Sequence, residues 1–262
     1  MKDICRKYCA LTPLQEENTL LFGRHPVMDA LEAGKPIDKI LIQQGLRGEF
    51  EKEIRGYSRR NNIHLQVVPK ERLNSLVRGN HQGIAAWLSA LPYYLLEDVL
   101  PEAFESGRPP LVILLDGVTD VRNFGAIARS AELAGAHALV TSSKGSAPIN
   151  AESIKTSAGA LTKIPVCRQS SLVKAAEYCQ LSGLQVIAGS LEAEQMPWDV
   201  DLRIPTALVL GAEGPGVSQG LLRMCDQLFK IPQIGSTDSF NVSVAAGIVL
   251  YESMRQRLEA PQ

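Results

Sequence analysis

The chain has 262 residues, 45% of them hydrophobic, with 27 Lys and Arg against 28 Asp and Glu. That composition excludes a disordered or fibrous chain and supplies the core of one large domain or two modest ones. The charge is unevenly spread: residues 1–90 carry 14 basic against 10 acidic side chains and residues 91–262 carry 13 against 18, so the net charges are +4 and −5. The first part is therefore the better surface for a polyanion.

The longest apolar runs, such as Leu111 to Leu115 and Thr206 to Leu210, have the length of strands. They fall far short of the roughly 20 residues of a membrane helix. The first residues lack the apolar core and small-residue cleavage site of a secretory signal, so a cytoplasmic address is expected. Cys5, Cys9, Cys167, Cys179 and Cys225 show neither CxxC nor Cys/His ligand spacing. All five are read as free thiols, and no metal is expected.

In chain order, residues 1–19 read as a flexible leader without sustained periodicity. GRHPVMDALEAG predicts a helix with Pro26 near its first turn and Gly34 just past its end. Lys39 to Gln43, Ile63 to Val68 and Gly83 to Ser89 predict strands, with a charged helix from Glu49 to about Arg60. Residues 20–92 thus form a small α/β unit. Residues 93–108, flanked or punctuated by Pro92, Pro101, Pro109 and Pro110, read as a linker. Over 109–262, strands and helices alternate, with strands LVILL, ALVT, IPVC, LQVIAG, TALVL and LFKI and a closing helix from Val242. That order predicts an α/β domain built on a mostly parallel sheet.

Three blocks follow strands in this second part. After LVILLDGV, Asn123 stands where a helix needs its N-cap, and Arg129 follows on a related face of that helix. After TALVL comes Gly211-Ala212-Glu213-Gly214-Pro215-Gly216, a turn whose glycines let backbone approach a ligand closely. It is neither a GxGxxG fingerprint nor a Walker loop, which disfavours nicotinamide and nucleoside-triphosphate sites. After Ile231-Pro232, the loop Gly235 to Asp238 leads into Ser239-Phe240-Asn241 at the head of an apolar helix. Loops at the carboxyl ends of strands are where an open α/β sheet builds its ligand site.

Together NFGAIARSAELAG (Asn123 to Gly135), LVLGAEGPG (Leu208 to Gly216) and IPQIGSTDSFNVSVAAGIVLYE (Ile231 to Glu252) resemble the SpoU, or TrmH-like, RNA ribose 2′-O-methyltransferases. KTSAGAL (Lys155 to Leu161) resembles the segment these enzymes carry between the first two blocks. GRHPVMDAL and NHQGIAA (Asn80 to Ala86) resemble the amino-terminal RNA-binding domain of many members, most closely the ribosomal RNA guanosine branch.

The resemblance implies a carboxyl-terminal trefoil-knotted α/β domain holding S-adenosylmethionine. Leu210, Gly211, Glu213, Gly214, Ile231, Pro232, Phe240 and Asn241 would form the cofactor site. Asn123, Arg129, Glu213, Ser239 and Asn241 would form the catalytic cluster. Phe240 stands where leucine is more usual. Arg129 is the family's favoured catalytic residue, but a guanidinium is a poor free base, so a clamp on the neighbouring phosphate is the preferred role.

Only RNA offers a 2′-hydroxyl. Arg24, His25, Arg59, Arg60, Arg78, Asn80, His81 and Arg129 are the candidate RNA contacts, whereas His64 and His137 read as structural. The resemblance further implies a homodimer packed through the catalytic domain. Ribosomal RNA, with a large-subunit guanosine as target, is the first expectation. Transfer RNA or a non-catalytic RNA-binding assembly protein is the alternative.

Overall fold

The computed structural model describes residues 20–259. The proposed leader, with Cys5 and Cys9, lies outside the described residues. The chain divides into two compact units: residues 20–92 with 148–151, and residues 93–147 with 152–259.

The amino-terminal unit contains β1 (Leu20–Phe22), α1 (Arg24–Glu32), β2 (Ile37–Gln43), α2 (Glu49–Arg60), β3 (His64–Val68), α3 (Lys70–Leu76) and β4 (Ile84–Leu88). Its four-stranded sheet has the order β1-β4-β2-β3, with β2 and β3 parallel and the other pairs antiparallel. Val27, Leu31, Ile40, Ile42, Ile54 and Ile84 make its core. Strand β1 and helix α3 carry too few periodic residues to stand out in the sequence.

The second unit runs α4 (Leu96–Glu105), β5 (Leu111–Asp116), α5 (Val121–Leu133), β6 (Ala138–Ser142), α6 (Ala151–Thr156), β7 (Val166–Gln169), α7 (Leu172–Leu181), β8 (Gln185–Gly189), β9 (Thr206–Gly211), α8 (Gln219–Leu222), β10 (Gln227–Phe229) and α9 (Val242–Glu259). Its six strands are ordered β10-β8-β9-β5-β6-β7 and all five pairings are parallel. Strand β5 is central and covered on both faces, so its run Leu111 to Leu115 is buried throughout.

The stretch read as a linker is a helix instead. Residues 96–105 form α4, and Leu96, Val99, Leu100 and Ala103 are buried in the core of the second unit. Their helical spacing outweighs Pro101, which lies inside the helix. His137, buried between Ser106 and β5, accepts from the Leu111 N–H at Nδ1. Burial foremost, then the charges of Arg108 and Arg257, lower its pKa to about 4. Burial likewise pushes the Cys179 thiol up to about 12 and Cys225 to about 11, and raises Cys167. These three thiols are free. Among the described residues no helix is long and apolar enough to cross a membrane.

Candidate active site at the carboxyl ends of the parallel strands

Strands β5 and β9 are neighbours in register, with Asp116 opposite Gly211. Their exits are tied together, because the Ser218 N–H donates to Asp116 Oδ2 at 2.7 Å. Helix α5 then starts at Val121, three residues earlier than a cap at Asn123 would set it. Its cap is Asp120, which accepts from the N–H groups of Arg122 and Asn123. The expectation that Asn123 caps the helix is thus overturned: a carboxylate already satisfies those donors. The Asn123 side chain is thereby available elsewhere.

It is used in a closed polar triangle. Asn123 Nδ2 donates to Glu213 Oε1 at 3.0 Å, and Asn241 Nδ2 donates to Asn123 Oδ1 at 3.1 Å and to Glu213 Oε1. Ser243 fixes the third corner, its N–H and hydroxyl donating to Asn241 Oδ1 at 2.9 and 2.6 Å. These donors settle which way the Asn241 amide points. Sequence reasoning missed Asp116, Asp120 and Ser243; the first two stand in the DGVTD turn directly after a buried strand, which was the available signal.

Beneath this triangle lies a cavity of about 410 Å³, within the range of small-molecule sites. Its lining includes Leu210, Gly211, Glu213, Gly214, Ile231, Ser239 and Phe240 from the expected set. Pro232 and Asn241 are exposed and Asn123 is half-buried, and all three lie outside the lining. Gly189 to Glu192, at the exit of β8, contribute a wall that the sequence did not announce.

Gly211 has a sharp steric requirement. A Cβ there would fall 2.2 Å from the Gly216 carbonyl carbon and 2.3 Å from the Val217 nitrogen. Only glycine allows the loop to close on itself this tightly. The helix behind Asn123 is seated in the same way: a Cβ on Gly125 would meet Thr156 Oγ1 at 2.1 Å, so KTSAGAL packs directly on α5.

Arg129 is not brought into the triangle. At about 100° per residue, six residues turn it about 120° from Asn123 around α5. It is exposed, and among the described residues no hydrogen bond or ion pair holds it. Among the described residues there is also no group of three His, Cys, Asp or Glu side chains that could hold a metal ion.

In the amino-terminal unit, Arg24, His25, Asn80 and His81 line one polar cleft, joined by Lys70, which sequence reasoning missed. His81 is buried, with Nδ1 accepting from the Gly83 N–H and Nε2 bonded to Asn74 Oδ1, so it shapes the loop instead of presenting a free ring nitrogen. Arg59 and Arg60 sit exposed in the last turn of α2, and Arg78 is exposed; none of the three lines the cleft.

The model of the SpoU rRNA methylase family matches residues 110–251, and a model for RNA 2′-O ribose methyltransferase substrate binding matches residues 20–94. A Bacillus subtilis protein named as a TrmH family tRNA/rRNA methyltransferase is 31% identical over 93% of this chain and 98% of its own. The crystal structure of the SpoU methyltransferase AviRb from Streptomyces viridochromogenes matches with TM-score 0.58 and 27% identity over 92% of this chain and 90% of its own. That protein has also been solved in complex with the cofactor AdoMet, a structure that matches with TM-score 0.59 and 24% identity, over 98% of this chain and 100% of its own. The A. aeolicus TrmH/SpoU tRNA modifying enzyme is 32% identical, with TM-score 0.53, over 63% of this chain and 85% of its own.

Proposed function

The chain belongs to the SpoU rRNA methylase family, and from that premise we propose that it is an S-adenosylmethionine-dependent RNA ribose 2′-O-methyltransferase. The observation that carries this reading is the Asn123–Glu213–Asn241 triangle at the rim of a cofactor-sized cavity. The cavity suits such a ligand: Leu210, Ile231, Phe240 and Val249 offer apolar walls, and the Gly211 loop exposes backbone without a Cβ in the way. The AdoMet complex of AviRb supports the choice of cofactor. When bound, S-adenosylmethionine supplies an electrophilic methyl group on a positively charged sulfur.

The residues of the chain would orient the ribose hydroxyl and take its hydrogen. The triangle's bonds to Glu213 all fall on Oε1, so Oε2 is our choice of acceptor for the 2′-hydroxyl. The two asparagines hold that carboxylate in place. Arg129 keeps the role of a phosphate clamp, a task that suits an exposed guanidinium with its donors unspent. Ser239, on the cavity wall, is assigned to the substrate side.

The proposal includes the trefoil-knotted path of the chain. It is supported by the family match over residues 110–251 and by a cavity walled jointly by the loop after β9 and by residues between 231 and 242. It also includes a homodimer. Val244, Ile248 and Tyr251 form an exposed apolar stripe along α9, the kind of surface that marks an interface.

We assign the target to a guanosine of large-subunit ribosomal RNA and the working place to the cytoplasm. The substrate-binding match over residues 20–94 supports an RNA substrate, and the family's name supports ribosomal RNA. The similarity to a tRNA modifying enzyme favours tRNA as the second reading. Calorimetric titration with S-adenosylmethionine, beside a labelled-methyl assay on unmodified RNA separated by size, tests all of this. Cofactor binding with label in the large ribosomal RNA is expected. Label in the tRNA fraction selects the second reading, and absence of cofactor binding leaves a non-catalytic RNA-binding protein.

A further inference from the structure

The two amino-terminal motifs, GRHP and NHQG, are distant in sequence, yet they wall one open cleft of about 700 Å³ in the first unit. Its lining contains Arg24 and Lys70 and no carboxylate. The polar side chains there are not oriented at random. Asn80 Oδ1 accepts from the Gln82 N–H, and Gln82 Oε1 accepts from the Arg24 N–H. His81 Nδ1 accepts from a backbone N–H, so the proton lies on Nε2 and is donated to Asn74 Oδ1.

Three amide oxygens are thereby spent inside the protein, while the NH₂ groups of Asn74, Asn80 and Gln82 remain as donors beside a guanidinium and an ammonium. Such a cleft prefers a ligand rich in acceptors and negatively charged. Arg24 adds a cation–π contact: its guanidinium carbon lies 4.9 Å over the centre of the Phe50 ring, and the side chain is exposed. Gln82 is held at φ 50, a left-handed conformation that is strained for a residue with a side chain. That turn is what brings the Gln82 amide to Arg24.

We propose that this cleft receives a single unpaired nucleotide of the RNA substrate, its phosphate between Arg24 and Lys70 and its base stacked on the Arg24 plane within reach of the three amides. Paired RNA cannot offer a base in this way, whereas loops and bulges can. The inference rests on the reading of the chain as an RNA-modifying enzyme and deepens it by naming the structural class of the substrate element.

The test uses the full chain and binding alone, without methyl transfer. One labelled probe is a hairpin RNA with an unpaired loop, the other a fully paired duplex of equal length. Lys70→Gln, at an exposed position, and Arg24→Gln should each weaken hairpin binding about tenfold and lower the salt dependence by roughly one phosphate contact, with duplex binding changed less than about twofold. Arg24→Lys keeps the charge but loses the planar stack and should fall between. Equal losses on both probes, or none on the hairpin, overturn the proposal. Saturable displacement of the hairpin by inorganic phosphate at constant ionic strength also overturns it, because the cleft would then be a simple anion site. If the wild-type chain binds neither RNA, the RNA-methyltransferase reading itself falls.

Discussion

Asn241 Nδ2 donates to Asn123 Oδ1 across 3.1 Å, joining side chains 118 positions apart. The same Asn241 NH₂ group and Asn123 Nδ2 converge on Glu213 Oε1, so the two amides act as a cradle for one carboxylate. Asn241→Asp would replace a donor with a second negative charge beside Glu213. Methyl transfer at saturating cofactor should fall about a hundredfold, while the unfolding midpoint changes little because the triangle is exposed. Single-turnover assays beside thermal melts check this.

Glu213→Gln removes the basic oxygen and keeps the shape. If Oε2 accepts the hydroxyl hydrogen, kcat should fall roughly 10²–10⁴-fold with KM for RNA nearly unchanged. A rise in KM alone would instead make Glu213 a binding group.

Arg129→Ala should abolish methyl transfer and leave cofactor affinity nearly intact, since Arg129 lies outside both the triangle and the cavity lining. Calorimetry with S-adenosylmethionine on the variant distinguishes the outcomes. Loss of cofactor binding in parallel with activity would move Arg129 to the cofactor side.

Gly211→Ala places a methyl group 2.2 Å from the Gly216 carbonyl carbon, against backbone that cannot rotate away. Overpacking of this kind costs about 1–3 kcal/mol. The midpoint should drop by several degrees and cofactor affinity by at least about tenfold, read by melting and calorimetry on one preparation.

His137 predicts a pH dependence of stability. Its folded pKa is lowered to about 4 from an ordinary 6.5, chiefly by burial. Below pH 6.5 the unfolded chain takes up a proton that the folded chain refuses. The stabilisation is therefore complete above pH 6.5, erodes as the pH falls, and is lost by about pH 4. Denaturant titrations across that window should show a loss of about 3 kcal/mol from this group. His137→Gln should flatten the profile over the same window.

What the sequence determined by itself is local. The unbroken apolar run Leu111 to Leu115 announces a strand covered on both faces, and Phe124, Ile127, Ala128 and Ala131 keep a helical period that buries one side of α5. The glycines after β9 likewise signal a close backbone passage before any neighbour is known. Where local signals conflicted, tertiary contacts decided. Pro101 suggested a linker, but burial of Leu96, Val99 and Leu100 made a helix of it. Asn123 suggested a cap, but Asp120 satisfied the same donors and freed the amide.

The triangle and the amino-terminal cleft were decided by tertiary structure alone. β5 lies beside β9, with three intervening strands in the chain, and that register brings Asn123 to Glu213 while α9 returns Asn241 to both. In the first unit, loop closure carries Asn80 and Gln82 back to Arg24. Hydrophobic periodicity records which face of an element is buried. It does not record which two loop ends the strand order will set side by side, and the polar side chains of this protein are positioned by that order.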